Sequence, residues 1–327
     1  MPYKSEFELE VITPIFMRGA DQTKAEIRSS SIKGLMRWWF RALAGNYFGN
    51  EIGELRKAEE SIFGSTGRRS GVVVELKPHQ INFGHYPLPM VWNRKKGIRL
   101  RRYAIAPRSS FKINIRSSDP TYLRVASCSL LALSHFGGLG FRSNRGAGSV
   151  RIEDYKSDVE IPKPPKHKSD IPKFIDELIT SVGESLHKLG YSATYSKDCL
   201  SYSSFKCFYC FLWKSSNNID RIYYNANNLE GSNLTILDEF EKNFKDESMH
   251  GSKYGYMDFI FGLPRKGIKD RRASPMKVGV LKIDGCYRLR ISVFKTSVFK
   301  PSMKISNWDC IFKFLDKINA ERIYPKG

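Results

Sequence analysis

The sequence predicts an α+β fold with two tandem domains, and three observations carry that prediction. The chain has 327 residues, 41% of them hydrophobic and 13% aromatic, enough for two ordinary cores. Segments that alternate apolar and polar residues, as strands do, are interleaved with segments whose apolar residues recur at helical spacing. In the first half these segments run strand, helix, strand, strand, helix, strand.

EFELEVI sets Phe7, Leu9 and Val11 against Glu6, Glu8 and Glu10, the period of a half-buried strand. A loop containing Pro14, Gly19 and Asp21 leads to RSSS, where Ser31 or its neighbour can cap a helix beginning at Ile32. In IKGLMRWWFRALA the residues Ile32, Leu35, Met36, Trp39, Phe40 and Leu43 share one face. Lys33, Arg37 and Arg41 fall four apart on another face. Like charges at that spacing destabilise a helix, so the stripe predicts a compensating anion. A second helix is expected from Glu51 to Phe63, stopped by Gly64, and GVVVELK is a strand by β-branched content. Residues 78–109 read as a basic insertion. FKINIR alternates again, and DPTYLRVASCSLLALSHFGG is a helix with Asp119 as cap and Pro120 at its first position. That helix is apolar nearly all round, hence buried. SVRIEDY closes the unit. The order is that of a split β-α-β, ferredoxin-like domain, shared with RNA-recognition (RRM) motifs.

The second half is less regular. KPPKHK is a linker, IPKFIDELITSVGESLHKL a helix, FKCFYCFLW a strand and LTILDEFEKNF a helix. KVGVLKI and CYRLRISVF flank Asp284-Gly285, a type I′ hairpin signal. ISNWDCIFKFLDKI reads as the last helix, and 217–257 as a polar surface insertion. These pieces suit a second, diverged ferredoxin-like domain. The expected boundaries are 1–157 and 158–327.

Charge narrows the partner. Lys and Arg number 54 against 33 Asp and Glu, a net of +21, which favours a polyanion. Between Glu75 and Glu153 the only acid is Asp119, while 14 Lys or Arg lie in that interval, RKKGIRLRR being the densest cluster. No run of about 18 apolar residues and no apolar signal core is present, so a cytoplasmic, non-membrane protein is expected. The six cysteines are scattered and resemble no secreted disulfide framework.

The densest concentration of glycine is HFGGLGFRSNRGAGSV, with Gly137, Gly138, Gly140, Gly146 and Gly148 around Arg142 and Arg145. A dinucleotide fingerprint would need glycine at 143, which is Ser143, and would open a helix rather than follow one. No lysine follows the last glycine, as a Walker loop requires. The two readings left are a tight structural connection and a backbone nest against phosphates, and the arginines favour the nest. Cys207 and Cys210 form a lone C-x-x-C inside an apolar strand; with no second pair they read as buried small hydrophobes, not as a zinc site. No carboxylate cluster suits a metal pair, and no cofactor motif is present. His135, beside the glycine loop, is the best candidate general base for a metal-independent ribonuclease, but it ends a buried helix and a structural role fits it better.

SSSIKGLMRWWFRAL after ITPIFMRGAD, then ESIFGS, then FGGLGFRSNRGAGSV, then FGLPR with RRASPMKV, together resemble the repeat-associated mysterious protein (RAMP) superfamily. The resemblance runs from about residue 8 to residue 280. Within the superfamily, the IKGLMRWWFRAL helix and RRASP are similar to the first-subunit family of the type III-B CRISPR RNA-silencing (Cmr) complex. It implies two ferredoxin-like domains, a place near the 3′ end of the guide RNA beside other RAMP subunits, and help in holding guide or complementary target RNA in antiviral defence. It implies no nuclease. An insertion at 78–109 forms, in RAMP backbone subunits, a thumb across the guide-target duplex.

On these grounds the expected RNA contacts are Ser31, Lys33, Gly34, Arg37 and Arg41 on the helix, and Arg94, Lys95, Lys96, Arg99, Arg101 and Arg102 in the insertion. Gly140, Arg142, Asn144, Arg145, Gly146 and Gly148 join them from the loop, and Arg265, Arg271 and Arg272 from the second half. Two rival readings differ in testable ways. A guide-processing endoribonuclease needs His135 with a basic or tyrosine partner. A general RRM-like binder needs exposed aromatics on its central strands, where FKINIR offers basic and amide side chains.

Overall fold

Two four-stranded antiparallel sheets and the helices between and beside them form four layers. The computed structural model describes residues 2–93, 98–194, 199–223, 235–250, 275–296, 298–300, 303–304 and 308–325. The first sheet joins β1 (Tyr3–Val11), β2 (Val72–Gln80), β5 (Ser110–Ser117) and β6 (Val150–Ser157) in the order β2-β5-β1-β6. Its inner face carries Phe7, Leu9 and Val11 of β1 and Phe111, Ile113 and Ile115 of β5, all buried, as the alternation predicts. The outer face is a ladder of opposite charges, with Lys112 on Glu8 at 3.3 Å and Arg116 on Glu75. No aromatic of β1 or β5 stands on that face, which removes the stacking platform an RRM-like binder needs.

Helix α1 (Ser29–Phe48) and α3 (Pro120–Phe136) cover the inner face. The first begins at Ser29, not Ile32: Arg28 holds the cap position without a side-chain cap bond, its amide instead donating to Met17 Sδ at 3.4 Å. So no serine caps it. The second starts as predicted, Asp119 Oδ1 accepting from Thr121 N at 2.7 Å with Pro120 in the first turn. Between them in sequence, α2 (Ile52–Phe63) packs on α1 and ends at Gly64, whose φ of +83° is a left-handed conformation. The insertion 78–109 is largely a hairpin, β3 (Phe83–Asn93) with β4 (Ile98–Ile105). Its base is tied down by Ile15 and Ile105, which exchange both backbone bonds, and by Leu88 and Ala104 packed on Phe16.

The chain then crosses to α4 (Ile171–Lys188), which packs against α3 and α1 and completes the helical layer. The second sheet contains β7 (Phe208–Ser216), β8 (Met276–Ile283), β9 (Cys286–Phe294) and β12 (Glu321–Tyr324) in the order β12-β7-β9-β8. Small strands β10 (Val298–Lys300) and β11 (Met303–Lys304) pair with each other. Both faces of this sheet are covered. Phe208, Cys210 and Phe294 look into the helical layer, while Phe211, Leu289, Ile291 and Val293 face α5 (Ile236–His250) and α6 (Asp309–Lys317). Double burial explains why FKCFYCFLW reads as a continuous apolar run instead of an alternation. The Asp284-Gly285 turn has positive φ at both positions, 52° and 74°, as a type I′ turn requires.

Three expectations for this half are corrected. The polar stretch 217–257 is not merely a surface insertion, because its helix α5 buries Leu237, Phe240 and Phe244 in the second core. The last element is the strand β12, too short to announce itself by periodicity. Cys207 is not a buried hydrophobe but is joined to Cys199, with Cα atoms 5.6 Å apart. The segment carrying that bond lies over α1, where Tyr202 and Ser204 fill the space left by Gly45; an added Cβ there would stand 2.7 Å from Ser204. Cys210 does behave as a core residue, burial pushing its thiol up to about 12.

Candidate nucleic-acid interface

The basic stripe of α1 faces a groove closed on its other side by α2 and by the turn at 64–70. The groove has a volume of about 880 Å³, and its lining includes Lys33, Arg37, Arg41, Arg56, Arg68 and Arg69. Gly34 lies on its floor with nothing within 4 Å of an added Cβ, so the backbone there is open; Ser30, not Ser31, lines it. The anion expected to compensate the stripe is in part the protein's own. Glu59 of α2, its side chain only 7% exposed, accepts from Arg37 Nε at 2.6 Å and from Arg41 Nη1 at 2.8 and 2.9 Å. Lys33 donates to Ser70 Oγ at 2.7 Å, and desolvation together with Arg37 lowers its pKa from the ordinary lysine value. Arg68 and Arg69 are exposed and form no ion pair among the described residues. Six cations thus share two carboxylates, Glu59 and Glu60, leaving four positive charges in excess. Sequence reasoning missed Glu59, Arg68 and Arg69. The signal for the arginines was visible in GRRS just after a helix-ending glycine, whereas nothing in AEES singles out Glu59.

The glycine loop is built differently from a phosphate nest. Its amides are used within the chain: Leu139 N donates to Gly148 O, Phe141 N to Phe16 O, Arg145 N to Arg142 O, Gly146 N to Val278 O and Gly148 N to Pro14 O, all at 2.7–2.9 Å. The glycines serve close approach of protein to protein. A Cβ at Gly148, where φ is +69°, would lie 1.9 Å from Leu139 O, and one at Gly140 2.6 Å from Phe16 O. Arg145 pairs with Val278 as a parallel bridge, so the loop runs along β8 and joins the first half to the second. Asn144 belongs to this joint as well, its backbone O accepting from Val278 N and its Oδ1 from Lys277 Nζ at 3.0 Å. Arg145 is 9% exposed, lies 5.5 Å from the Phe244 ring, and burial pushes its pKa down to about 10. Below the loop Arg290, 1% exposed, donates to Gly137 O and Ser292 Oγ at 3.0 Å. The backbone-nest expectation is therefore corrected at Gly146 and Gly148, whose amides are spent on protein carbonyls, and the RNA contact expected of Arg145 is corrected by its burial. Arg142 alone of the loop's two arginines is partly open.

Of the insertion cluster, Arg102 is exposed and Arg101 braces the hairpin through His85 O at 2.7 Å. Arg94, Lys95, Lys96, the Arg99 side chain, Arg265, Arg271 and Arg272 lie outside the described residues. His135 is buried, with Nδ1 within 2.8 Å of Leu131 O and 2.9 Å of Ser134 Oγ, and its ring 4.8 Å from Phe174. Burial pushes its pKa down to about 4. Only 8% of the residue is exposed. No helix among the described residues is long and apolar enough to cross a membrane.

Most of the first sheet, with α1 to α3 and the glycine loop, lies in the stretch, residues 8–151, that the RAMP superfamily's model matches. A second model, for the Cmr1 C-terminal domain, matches residues 205–325. The chain belongs to the Cmr1 family. It is 32% identical over 332 residues to the CRISPR system Cmr subunit Cmr1-1 of Pyrococcus furiosus, covering 94% of this chain and 93% of that protein. It is 38% identical to the subunit Cmr1-2 of the same organism over 179 residues, 46% of this chain and 96% of that one. Among solved structures it is similar to apo Cmr1 from Pyrococcus furiosus, with a TM-score of 0.66 and 26% identity over 98% of both chains. A chain of the Type III-B Cmr-beta complex bound to cognate target RNA has the same fold, with a TM-score of 0.59 at 13% identity over 98% of this chain and 99% of that one.

Proposed function

We propose that the protein is a non-catalytic RNA-binding subunit of a type III-B CRISPR effector complex in the cytoplasm. In it the chain holds the 3′ region of the guide RNA, or the target RNA paired with it, beside other RAMP subunits. The observation that carries this reading is the groove on α1, where four uncompensated positive charges line an open channel. Phosphate contacts of that kind fix position without reading sequence, which suits a subunit that serves many guides, because base pairing supplies the specificity. The reading treats the chain as two ferredoxin-like domains, 1–157 and 158–327. Its support is that both sheets place their strands in the order fourth, first, third, second within their own half. The reading is non-catalytic because His135 is buried with its Nδ1 engaged by Leu131 O and Ser134 Oγ.

The test is binding of single-stranded RNA by the wild type and by the double variant Arg68→Ala/Arg69→Ala across a salt series. Each phosphate contact on a single strand contributes roughly 0.7 to the slope of log affinity against log salt, so the variant should lose about 1.4. The same RNA should stay intact with and without Mg²⁺ or Mn²⁺. An unchanged slope would remove the groove from the interface. Cleavage lost in His135→Ala would make the chain an endoribonuclease.

A further inference from the structure

We infer that Phe141 is a stacking platform for an unpaired nucleobase, held open between the guanidinium groups of Arg102 and Arg142. The inference rests on the proposed RNA binding and adds a contact of a different kind, to a base and not to a phosphate. Phe141 is 50% exposed; among the described phenylalanines only Phe83, at 46%, is comparably open. Its surroundings hold it there. The amide donates to Phe16 O at 2.7 Å, and the residues on either side, Gly140 and Arg142, have φ of +80° and +63°. The seam between the loop and residue 16 thus fixes the backbone from which the ring projects.

Arg142 is a second, independent sign. In a loop rich in glycine it occupies a left-handed backbone position that glycine would adopt without strain, yet an arginine is kept. Strain retained in this way points to a use for the side chain. Its guanidinium carbon lies 5.1 Å from the Phe141 ring centre, and that of Arg102, reaching across from β4, lies 5.6 Å away. Arg142 Nε is buried with no hydrogen-bond partner. The two guanidiniums repel each other, and the acidic group whose field reaches Arg142 is Glu241. A half-open ring flanked by two cations matches the chemistry of a nucleotide: the base stacks on the ring or on a guanidinium plane, and its phosphate neutralises the pair. Stacking of this kind tolerates any base.

The test compares wild type, Phe141→Ala and Phe141→Trp in binding a short single-stranded RNA that carries 2-aminopurine. The Arg68→Ala/Arg69→Ala variant is the reference for phosphate contacts. Phe141→Ala should bind roughly 5- to 100-fold more weakly, with an unchanged salt slope and less quenching of the 2-aminopurine. Phe141→Trp should restore both. Unchanged thermal midpoints confirm that the variants fold. If Phe141→Ala binds and quenches like the wild type while Arg68→Ala/Arg69→Ala remains weak, the stacking inference falls and the groove stands. If Phe141→Ala keeps RNA but no longer joins other Cmr subunits, the ring is a protein contact and the inference falls. Absence of RNA binding by the wild type overturns both.

Discussion

Replacing Glu59 by Gln should make the protein less stable and a tighter RNA binder at once. Glu59 is the shared acceptor of two arginines that stand one turn apart on α1, with Lys33 one turn further. Its side chain is 7% exposed, whereas those of Arg37 and Arg41 are 33% and 39% exposed. Removing one partner of a fully buried pair costs about 3–5 kcal/mol, and an exposed pair is worth at most about 1 kcal/mol. With the acid buried and the bases a third exposed, the loss should be about 2 kcal/mol, read as a lower denaturation midpoint. The groove meanwhile goes from four excess positive charges to five. One added phosphate contact raises the salt slope by about 0.7, equivalent to about fivefold tighter binding at 0.1 M salt relative to 1 M. Fluorescence anisotropy on a labelled single strand across a salt series measures it. A lower midpoint with unchanged affinity and slope would show that the arginines serve only the fold, and would refute the argument.

Three further outcomes are expected. Gly148→Ala places a Cβ 1.9 Å from Leu139 O at a φ of +69° and should destabilise by about 3 kcal/mol or more, checked by urea unfolding; a loss under 1 kcal/mol would mean the loop shifts freely. Reducing the Cys199–Cys207 bond, or Cys199→Ser, should lower stability by roughly 2.5 kcal/mol from loop entropy over a separation of 8 residues, and dithiothreitol should then leave the variant unaffected. Burial holds His135 near a pKa of about 4 against 6.5 in the unfolded chain, so between those values the unfolded state binds the extra proton. Stability is therefore full above pH 6.5 and falls as pH drops towards 4, by up to about 3 kcal/mol more in wild type than in His135→Gln. Parallel pH profiles would contradict this.

The first half was legible because one face of its sheet is wet and one dry, so β1 and β5 alternate and their helices begin or end at Asp119-Pro120 and Gly64. In the second half the sheet is buried on both faces, which erases the alternation, and β12 is only four residues long. The stripe of Lys33, Arg37 and Arg41 was legible as a charged face. Its partner Glu59 was not, because the pairing is made across two helices. The glycine loop was legible as a close approach, yet what approaches most of it is protein. Spacing alone does not distinguish a carbonyl oxygen from a phosphate oxygen as the acceptor of an amide. Cys207 reads in the sequence with Cys210 as a C-x-x-C, whereas its partner is Cys199, 8 residues upstream, and the pairing appears only once the chain turns at 205–207.

The parallel bridge between Arg145 and Val278 also covers an otherwise exposed sheet edge. β8 is the last strand of its sheet, and its outer row of amides and carbonyls would otherwise offer a template to any extended chain. The loop occupies part of that row, with Gly146 N on Val278 O, Val278 N on Asn144 O, and Ser149 Oγ taking the Val280 amide at 2.9 Å. Met276, Val278 and Val280 beneath it are apolar and buried. A C-terminal half expressed without residues 1–157 would bare this edge, with Met276, Val278 and Val280 along it, and should self-associate. The second half in this sense depends on the first for its solubility.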